Sequence, residues 1–256
     1  AANQTVAEHF FFLQSPFVYR IHEQPDPEKI SSLAAFVNNL GYHIRTRRDE
    51  GVRPKELQKL LKGVEGTKEE AVISRMTLRS MMQAKYSTEC TGHFGLAFDY
   101  YCHFTSPIRR YPDLFIHRVI SDYLTGELDK KKHAKYKRQS TKYAEISSEM
   151  EQEEEEAERD LYELKKCEYM QKHIGEEFVG IVSGVMSFGM FIELTNKIEG
   201  LVRIDDLTDD YYIYDESTFS LIGNKNKRGY RLGDEVKVEV KAASKINHTI
   251  DFIVRR

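Results

Sequence analysis

His103-Phe104-Thr105-Ser106-Pro107-Ile108-Arg109-Arg110-Tyr111-Pro112-Asp113-Leu114 is the stretch from which the rest of the chain is read. Proline fixes its own φ and drives the preceding residue out of the helical region, so Ser106-Pro107 predicts an extended turn. Leu114, Phe115, Val119 and Ile120 open a helical pattern just beyond it. Two adjacent guanidiniums therefore stand at the mouth of a helix, beside a tyrosine and an aspartate. A planar guanidinium fork matches two phosphate oxygens and never deprotonates, so the pair suits a phosphodiester. An Arg–Asp salt bridge pinning the turn fits the same spacing, and the residues alone leave both readings open.

Before the turn, Gly92-His93-Phe94-Gly95-Leu96-Ala97-Phe98 and the residues from Tyr100 onward read as a glycine-marked extended stretch. Further back, residues 1–13 read as the end of a helix, with Val6, Ala7 and Phe10 in its pattern. Gln14-Ser15-Pro16 breaks that helix, and residues 17–22 are extended in character. Asp26-Pro27 supplies an N-cap and a first helical position. The apolar face that follows is Ile30, Leu33, Ala34, Val37 and Leu40, with Gly41 as C-cap. Pro54 starts another helix, burying Leu57, Leu60 and Leu61. Thr67 and Glu70 predict a capping box before a helix running through Met76, Ser80 and Ala84. The chain begins Ala1-Ala2-Asn3, without methionine and already in a helical pattern, which leads us to expect a piece of something longer.

After the turn, a long helical pattern runs from about His133 to His173. Tyr136, Tyr143, Met150, Ala157 and Leu164 recur every seven residues, with Ile146, Leu161 and Tyr169 beside them. Seven residues is also two turns of an ordinary helix, so a core-packing helix is expected rather than a coiled coil. At Gly175 the period shortens towards that of strands. Five short strands follow: around Phe178–Gly184, Met190–Leu194, Gly200–Ile204, Gly233–Val240 and Thr249–Ile253, with a long loop before the fourth. That number in about 80 residues suits a small Greek-key barrel.

Composition narrows the classes. The chain has 256 residues, 40% hydrophobic and 31% charged, enough for two domains and a sizeable core. Its densest apolar run, Phe10 to Leu13, is far too short to span a membrane. Cys90, Cys102 and Cys167 are odd in number and widely spaced, so reduced thiols and a cytoplasmic location are expected. The net charge of −3 means that nucleic acid would need a local positive track. The run Lys130-Lys131-Lys132-His133-Ala134-Lys135-Tyr136-Lys137-Arg138 is one such candidate, and equally a solvated helix start.

The twelve residues from His103 resemble the signature of the ribonuclease II/ribonuclease R (RNB) family of processive 3′→5′ exoribonucleases, and its ribonuclease R branch more nearly. Gly180-x-Val182-x5-Phe188-Gly189-x-Phe191, then Gly200-Leu201-Val202, then Leu232-Gly233-Asp234-x-Val236, resembles the S1 RNA-binding domain. The resemblance implies an α+β chain. Residues 1–174 would be the mostly helical C-terminal half of an RNB catalytic domain, and 175–256 a five-stranded OB-type (S1) β-barrel.

The implied activity is hydrolysis of RNA from its 3′ end to 5′ nucleoside monophosphates. The alternative is a non-catalytic RNA-binding or interaction module. RNB nucleases hold Mg²⁺ through clustered aspartates, which in the family precede the helix that opens this chain. The isolated chain is therefore expected to be inactive, with no metal ligands of its own. Asp205, Asp206, Asp209 and Asp210, and Glu153 to Glu156, read as solvated charge.

Arg109 matches the family's catalytic arginine, which would stabilise charge developing on the phosphoryl oxygens. Glu158 matches a glutamate at the 3′ end of the RNA channel; without the resemblance it is one more exposed glutamate in an acidic helix. Thr105, Arg110 and Tyr111 would orient the RNA backbone. Tyr101 and His103 line the channel or belong to buried aromatic packing. In the S1-like part, Phe188 and Phe191 would stack on bases or fill the barrel core, and Arg203 stands where many S1 domains carry histidine. Ile246, Asn247 and His248 replace the usual acidic and basic pair. Residues 175–256 carry 11 Lys and Arg against 14 Asp and Glu, so this part should bind RNA weakly alone. The implied partners are single-stranded RNA 3′ ends, proteins of a degradation complex and the missing N-terminal half; no membrane is implied.

Overall fold

The computed structural model describes residues 1–47, 51–67, 69–215, 218–225 and 227–255. Along the chain run α1 (Ala2–Phe12), β1 (Tyr19–Ile21), α2 (Pro27–Asn39), β2 (Thr46–Arg47), β3 (Gly51–Val52), α3 (Pro54–Val64), α4 (Glu70–Ser80), β4 (Lys85–Ser87), α5 (Tyr111–Leu124) and α6 (Lys130–Met170). Then come β5 (Glu177–Met186), β6 (Gly189–Leu194), β7 (Glu199–Arg203), β8 (Tyr212–Asp215), β9 (Ser220–Gly223), β10 (Gly229–Arg231), β11 (Glu235–Ser244) and β12 (Thr249–Val254). The chain packs as two compact units. Ala1–Ile30, Arg45–Leu57 and Ser80–Glu155 form one; Ser31–Ile44, Gln58–Arg79 and Glu156–Arg256 form the other.

The core of the first unit gathers Ala7 and Phe10 of α1, Phe17 to Tyr19 and Ile21 around β1, Tyr86 of β4, Phe115, Ile116 and Val119 of α5, and Ala144 of α6. β1 and β4 pair antiparallel, Arg20 opposite Tyr86. The stretch expected to be extended around Gly92–Phe98 instead tightens into a 3₁₀ turn at Phe94–Leu96. The side chain of His93 accepts the Leu96 N–H there.

The helix ends carry both agreements and corrections. Asp26 caps α2 as expected, its Oδ1 accepting the Glu28 N–H at 2.8 Å, and Gly41 leaves the helix with φ +85°. Phe36 joins the buried face of α2, whereas Leu40 is exposed, because the helix ends before its last turn is covered. The capping box at Thr67 and Glu70 does not form. The Thr67 hydroxyl donates back to the Val64 carbonyl at 2.7 Å, and the Glu70 carboxylate accepts the Gly66 N–H instead. α4 stops at Ser80, short of Ala84.

α6 departs furthest from expectation. Tyr136 and Tyr143 are half-buried and Ser140 and Ala144 buried near its start, and Cys167 and Met170 are buried at its end. From Gln152 to Tyr162 every residue is exposed, Ala157 and Leu161 included. The heptad spacing sets a helical period, but the glutamates between the apolar positions leave this stretch polar nearly all round, and no core forms on it.

In the second unit β5, β6, β7, β12 and β11 close into a five-stranded barrel. β12 runs parallel to β7 and the other neighbours are antiparallel, the OB-type arrangement. Val182, Met190, Ile192, Val202, Val238 and Phe252 fill it. Two glycines make the closure possible. A Cβ on Gly189, at φ +154°, would lie 2.2 Å from the Val202 carbonyl, and one on Gly200 would lie 2.5 Å from the Phe252 ring. The expected long loop before the fourth barrel strand holds an antiparallel meander, β8–β9–β10. Arg75 of α4 ties itself to the barrel wall through Glu193 at 2.6 Å and Glu199 at 2.5 Å.

Candidate catalytic cleft and nucleic-acid face

The Ser-Pro turn is fixed by one carboxylate. Asp113, in the first turn of α5, is fully buried. Its Oδ2 accepts the Ser106 N–H and an Arg110 guanidinium N–H, each at 2.8 Å. A carboxylate in the first turn also meets the positive end of the helix dipole. The Arg109 and Arg110 N–H groups both turn back to the Ser106 carbonyl. The adjacent arginines consequently part company: Arg110 folds inward onto Asp113, and Arg109 is exposed.

Arg109 lines a cleft of about 270 Å³ with Tyr111, Tyr143, Met150, Glu151 and Glu154. Tyr111 meets Tyr143 edge-on at 4.7 Å. A hydrogen bond with Tyr143, then partial burial, push the Tyr111 phenol up, so it remains a neutral donor. Glu151 is paired with Arg20, whose guanidinium lies 4.7 Å from the centre of the Tyr86 ring. Burial pushes the Tyr86 phenol up to about 12. Its hydroxyl and Nδ1 of His103 share a hydrogen bond at 2.9 Å. Burial first, then the charges of Arg110 and Arg20, hold His103 down at about 4, so its ring is neutral. Tyr101 is packed edge-on against His93 and His103, its hydroxyl accepting from Asn3 at 3.1 Å. Thr105 is exposed on the approach to the turn. Glu158 is exposed on the stretch of α6 that belongs to the second unit.

On the barrel, alternation along β6 turns Met190, Ile192 and Leu194 inward and Phe191 and Glu193 outward. The Phe191 ring rests over Gly184 on the neighbouring strand, where a Cβ would come within 3.3 Å of it. Phe188, 53% exposed, closes the adjacent turn, and the two rings meet edge-on at 6.2 Å. Neither belongs to the barrel core. Arg203, at the end of β7, is exposed with its Nε 3.6 Å from Asp251 Oδ1. Phe188, Phe191 and Arg203 thus share the outer surface around β6 and β7. Such a face offers bases two ring surfaces and a phosphate one cation.

Sequence reading missed Asp251, although its outward place in Ile250-Asp251-Phe252 was a usable signal. It also missed the Arg20–Glu151 pair, whose partners lie 131 positions apart and leave no local trace.

Among known proteins two families match, one before and one after α6. The RNB domain family matches residues 1–126 and the S1 RNA binding domain family matches residues 171–255. Ribonuclease R 1 of Lactococcus lactis is 43% identical over 251 residues, which cover 98% of this chain and 31% of that protein. Ribonuclease R of Thermotoga maritima is 44% identical over 256 residues, covering 99% and 36%. The chain thus spans about a third of the length of these curated relatives. Among solved structures, Mycoplasma genitalium RNase R in complex with ribose methylated single-stranded RNA superposes with a TM-score of 0.89 at 27% identity. That match covers 99% of this chain and 40% of that one. The yeast pseudonuclease Ssd1, at 23% identity and a TM-score of 0.69, shares the fold. With an RNB region followed by an S1 region, and with the stretch similar to ribonuclease R covering nearly the whole sequence, the chain belongs to the RNB family.

Proposed function

We propose that this chain is part of a 3′→5′ exoribonuclease that hydrolyses single-stranded RNA to 5′ nucleoside monophosphates, acting in the cytoplasm. The observation that carries the reading is the exposed Arg109 guanidinium on its cleft, held at the head of α5 by a turn that Arg110 and Asp113 lock. A fixed cation of this kind stabilises charge building on phosphoryl oxygens, with no proton to move and little reorganisation. Tyr111 and Thr105 would orient the RNA backbone beside it, with Arg110 supporting them, and Glu158 would meet the 3′ end. The rest of the protein and the proteins of a degradation complex are the further partners of this reading.

The family likeness brings Mg²⁺ with it, a Lewis acid that polarises phosphorus and activates water when bound. The residues here do not fit it. Mg²⁺ asks for several oxygens in octahedral array. Among the described residues no three His, Cys, Asp or Glu side chains gather to hold a metal, and Glu151 in the cleft is engaged by Arg20. We therefore assign the ligands to residues outside this sequence, and the 256 residues alone to an inactive state. EDTA-sensitive release of mononucleotides by the purified chain would overturn that assignment.

The barrel face would bind single-stranded RNA by stacking more than by charge. Phe191→Ala is expected to weaken binding by about 1–3 kcal/mol per lost base contact while leaving the salt slope unchanged, because stacking releases no counterions. Arg203→Ala is expected to lower both the affinity and the slope, the slope by roughly 0.7 for one phosphate contact on a single strand. Fluorescence anisotropy across a salt series checks both. A fall in slope with Phe191→Ala, or loss of the folded barrel, would remove the stacking role.

A further inference from the structure

The basic beginning of α6 has no part in the cleft or the barrel face. Lys131, Lys135, Arg138 and Lys142 follow one another at spacings of four, three and four residues. At 3.6 residues per turn they fall within about 60° of the helix circumference and along about 16 Å of its length. All four are exposed. Lys132, on the adjoining face, is taken up by Asp122 at 3.1 Å and Glu127 at 2.7 Å. Asp122 also feels the charge of Lys135, but none of the four aligned cations forms an ion pair among the described residues. The strip ends where Glu145 and Glu149 continue the same face with the opposite sign.

This arrangement runs against local preference. A helix N-terminus is the positive end of the macrodipole and favours acidic side chains, yet the first turn of α6 holds lysines and no acid. Asp129, before the helix, accepts the Lys132 N–H at 2.7 Å and relieves only the cap. Lys131 with Lys135, and Arg138 with Lys142, are like charges one turn apart, a spacing that destabilises a helix. Asp122, Asp129 and Glu127 offset this only at the helix start, around Lys132, and local rules broken in this way are expected at functional sites. A polyanion laid along the strip would reverse the penalty at every position.

We infer that Lys131, Lys135, Arg138 and Lys142 form a phosphate track for single-stranded RNA outside the cleft, holding the strand by its backbone whatever its sequence. The inference rests on the proposed RNA-degrading function. Cations about 4.5–6 Å apart along the axis match a ligand whose charges repeat at regular intervals. The acidic continuation at Glu145 sets one end to the track. Held there, a strand being shortened stays attached between steps without base-specific contacts, since phosphate contacts carry no sequence information.

The test is anisotropy of a fluorescein-labelled oligoadenylate RNA with the 256-residue chain, in EDTA, from 50 to 300 mM salt. The chain carries Lys131→Gln, Lys135→Gln, Arg138→Gln and Lys142→Gln together, against unaltered chain and Phe191→Ala. Glutamine keeps helix propensity, so the quadruple variant should melt no lower than the parent at low salt, because repulsion has been removed. The log–log salt slope should fall by about two to three, at roughly 0.7 per lost phosphate contact, and low-salt affinity by tenfold or more. An unchanged slope, with binding still sensitive to Phe191→Ala, overturns the track and leaves the proposed function standing. An unchanged RNA slope with loss of polyglutamate binding overturns it in favour of an acidic protein. No RNA binding by the unaltered chain at the lowest salt overturns the track, while the proposed function stands or falls separately on RNA cleavage by the whole protein.

Discussion

Arg109→Ala in the whole protein is expected to cut single-turnover RNA cleavage by about 10²–10³-fold, the usual cost of one transition-state donor. Its melting temperature should not change. The guanidinium is exposed on the cleft wall with no ion pair among the described residues, so its removal orphans no buried group. RNA affinity should change little, because many phosphates and stacked bases share the ground-state binding. Arg109→Lys should recover only a small part of the loss, since an ammonium keeps the charge but not the planar fork. Rapid-quench cleavage at saturating protein separates the two quantities. Should affinity fall as far as the rate, Arg109 positions the substrate rather than stabilising the transition state.

Asp113→Ala should act in the opposite way, on the fold first. The carboxylate is fully buried and takes both the Ser106 N–H and the Arg110 guanidinium. Its removal leaves a largely buried cation and a backbone donor without their partner, a loss of about 3–5 kcal/mol for a broken buried pair. In a unit of this size that corresponds to a fall in melting temperature on the order of 10 °C. Arg110→Ala should show the same character, because it exposes the other half of the pair. Differential scanning calorimetry of the 256-residue chain, wild type beside both variants, checks this. If Asp113→Ala melts with the wild type, the turn is held by something other than this carboxylate.

The contrast between these neighbouring arginines also marks the limit of what sequence alone made legible. Paired guanidiniums before a helix predicted either a phosphodiester contact or a salt bridge. The fold assigns the salt bridge to Arg110, three residues before Asp113, and leaves Arg109 in the open. That choice depends on which way each side chain leaves the turn, which no spacing reveals. The barrel strands were legible because the period shortens at Gly175 and because Gly180, Gly189, Gly200 and Gly233 stand in order along the S1-like pattern. The meander between β7 and β11 was not. Its strands are three or four residues long, and Tyr212–Asp215 and Ser220–Gly223 are too short for a period to emerge. On α6 the period was right and the burial wrong: Met150 keeps the heptad beat yet faces solvent, 50% exposed. Periodicity reports conformation, whereas burial needs a second surface to pack against. The Thr67–Glu70 signature failed for a related reason, since Val64 and Gly66 offered both side chains nearer partners.

The most direct test of the central claim follows a 5′-labelled single-stranded RNA through electrophoresis during digestion by the whole protein with Mg²⁺, wild type beside Arg109→Ala. The account predicts one-nucleotide shortening from the 3′ end, with nucleoside 5′-monophosphates released, and the same pattern slowed at least about 100-fold in the variant while RNA stays bound. Internal cuts by the wild type, or shortening at the wild-type rate by Arg109→Ala, would contradict it.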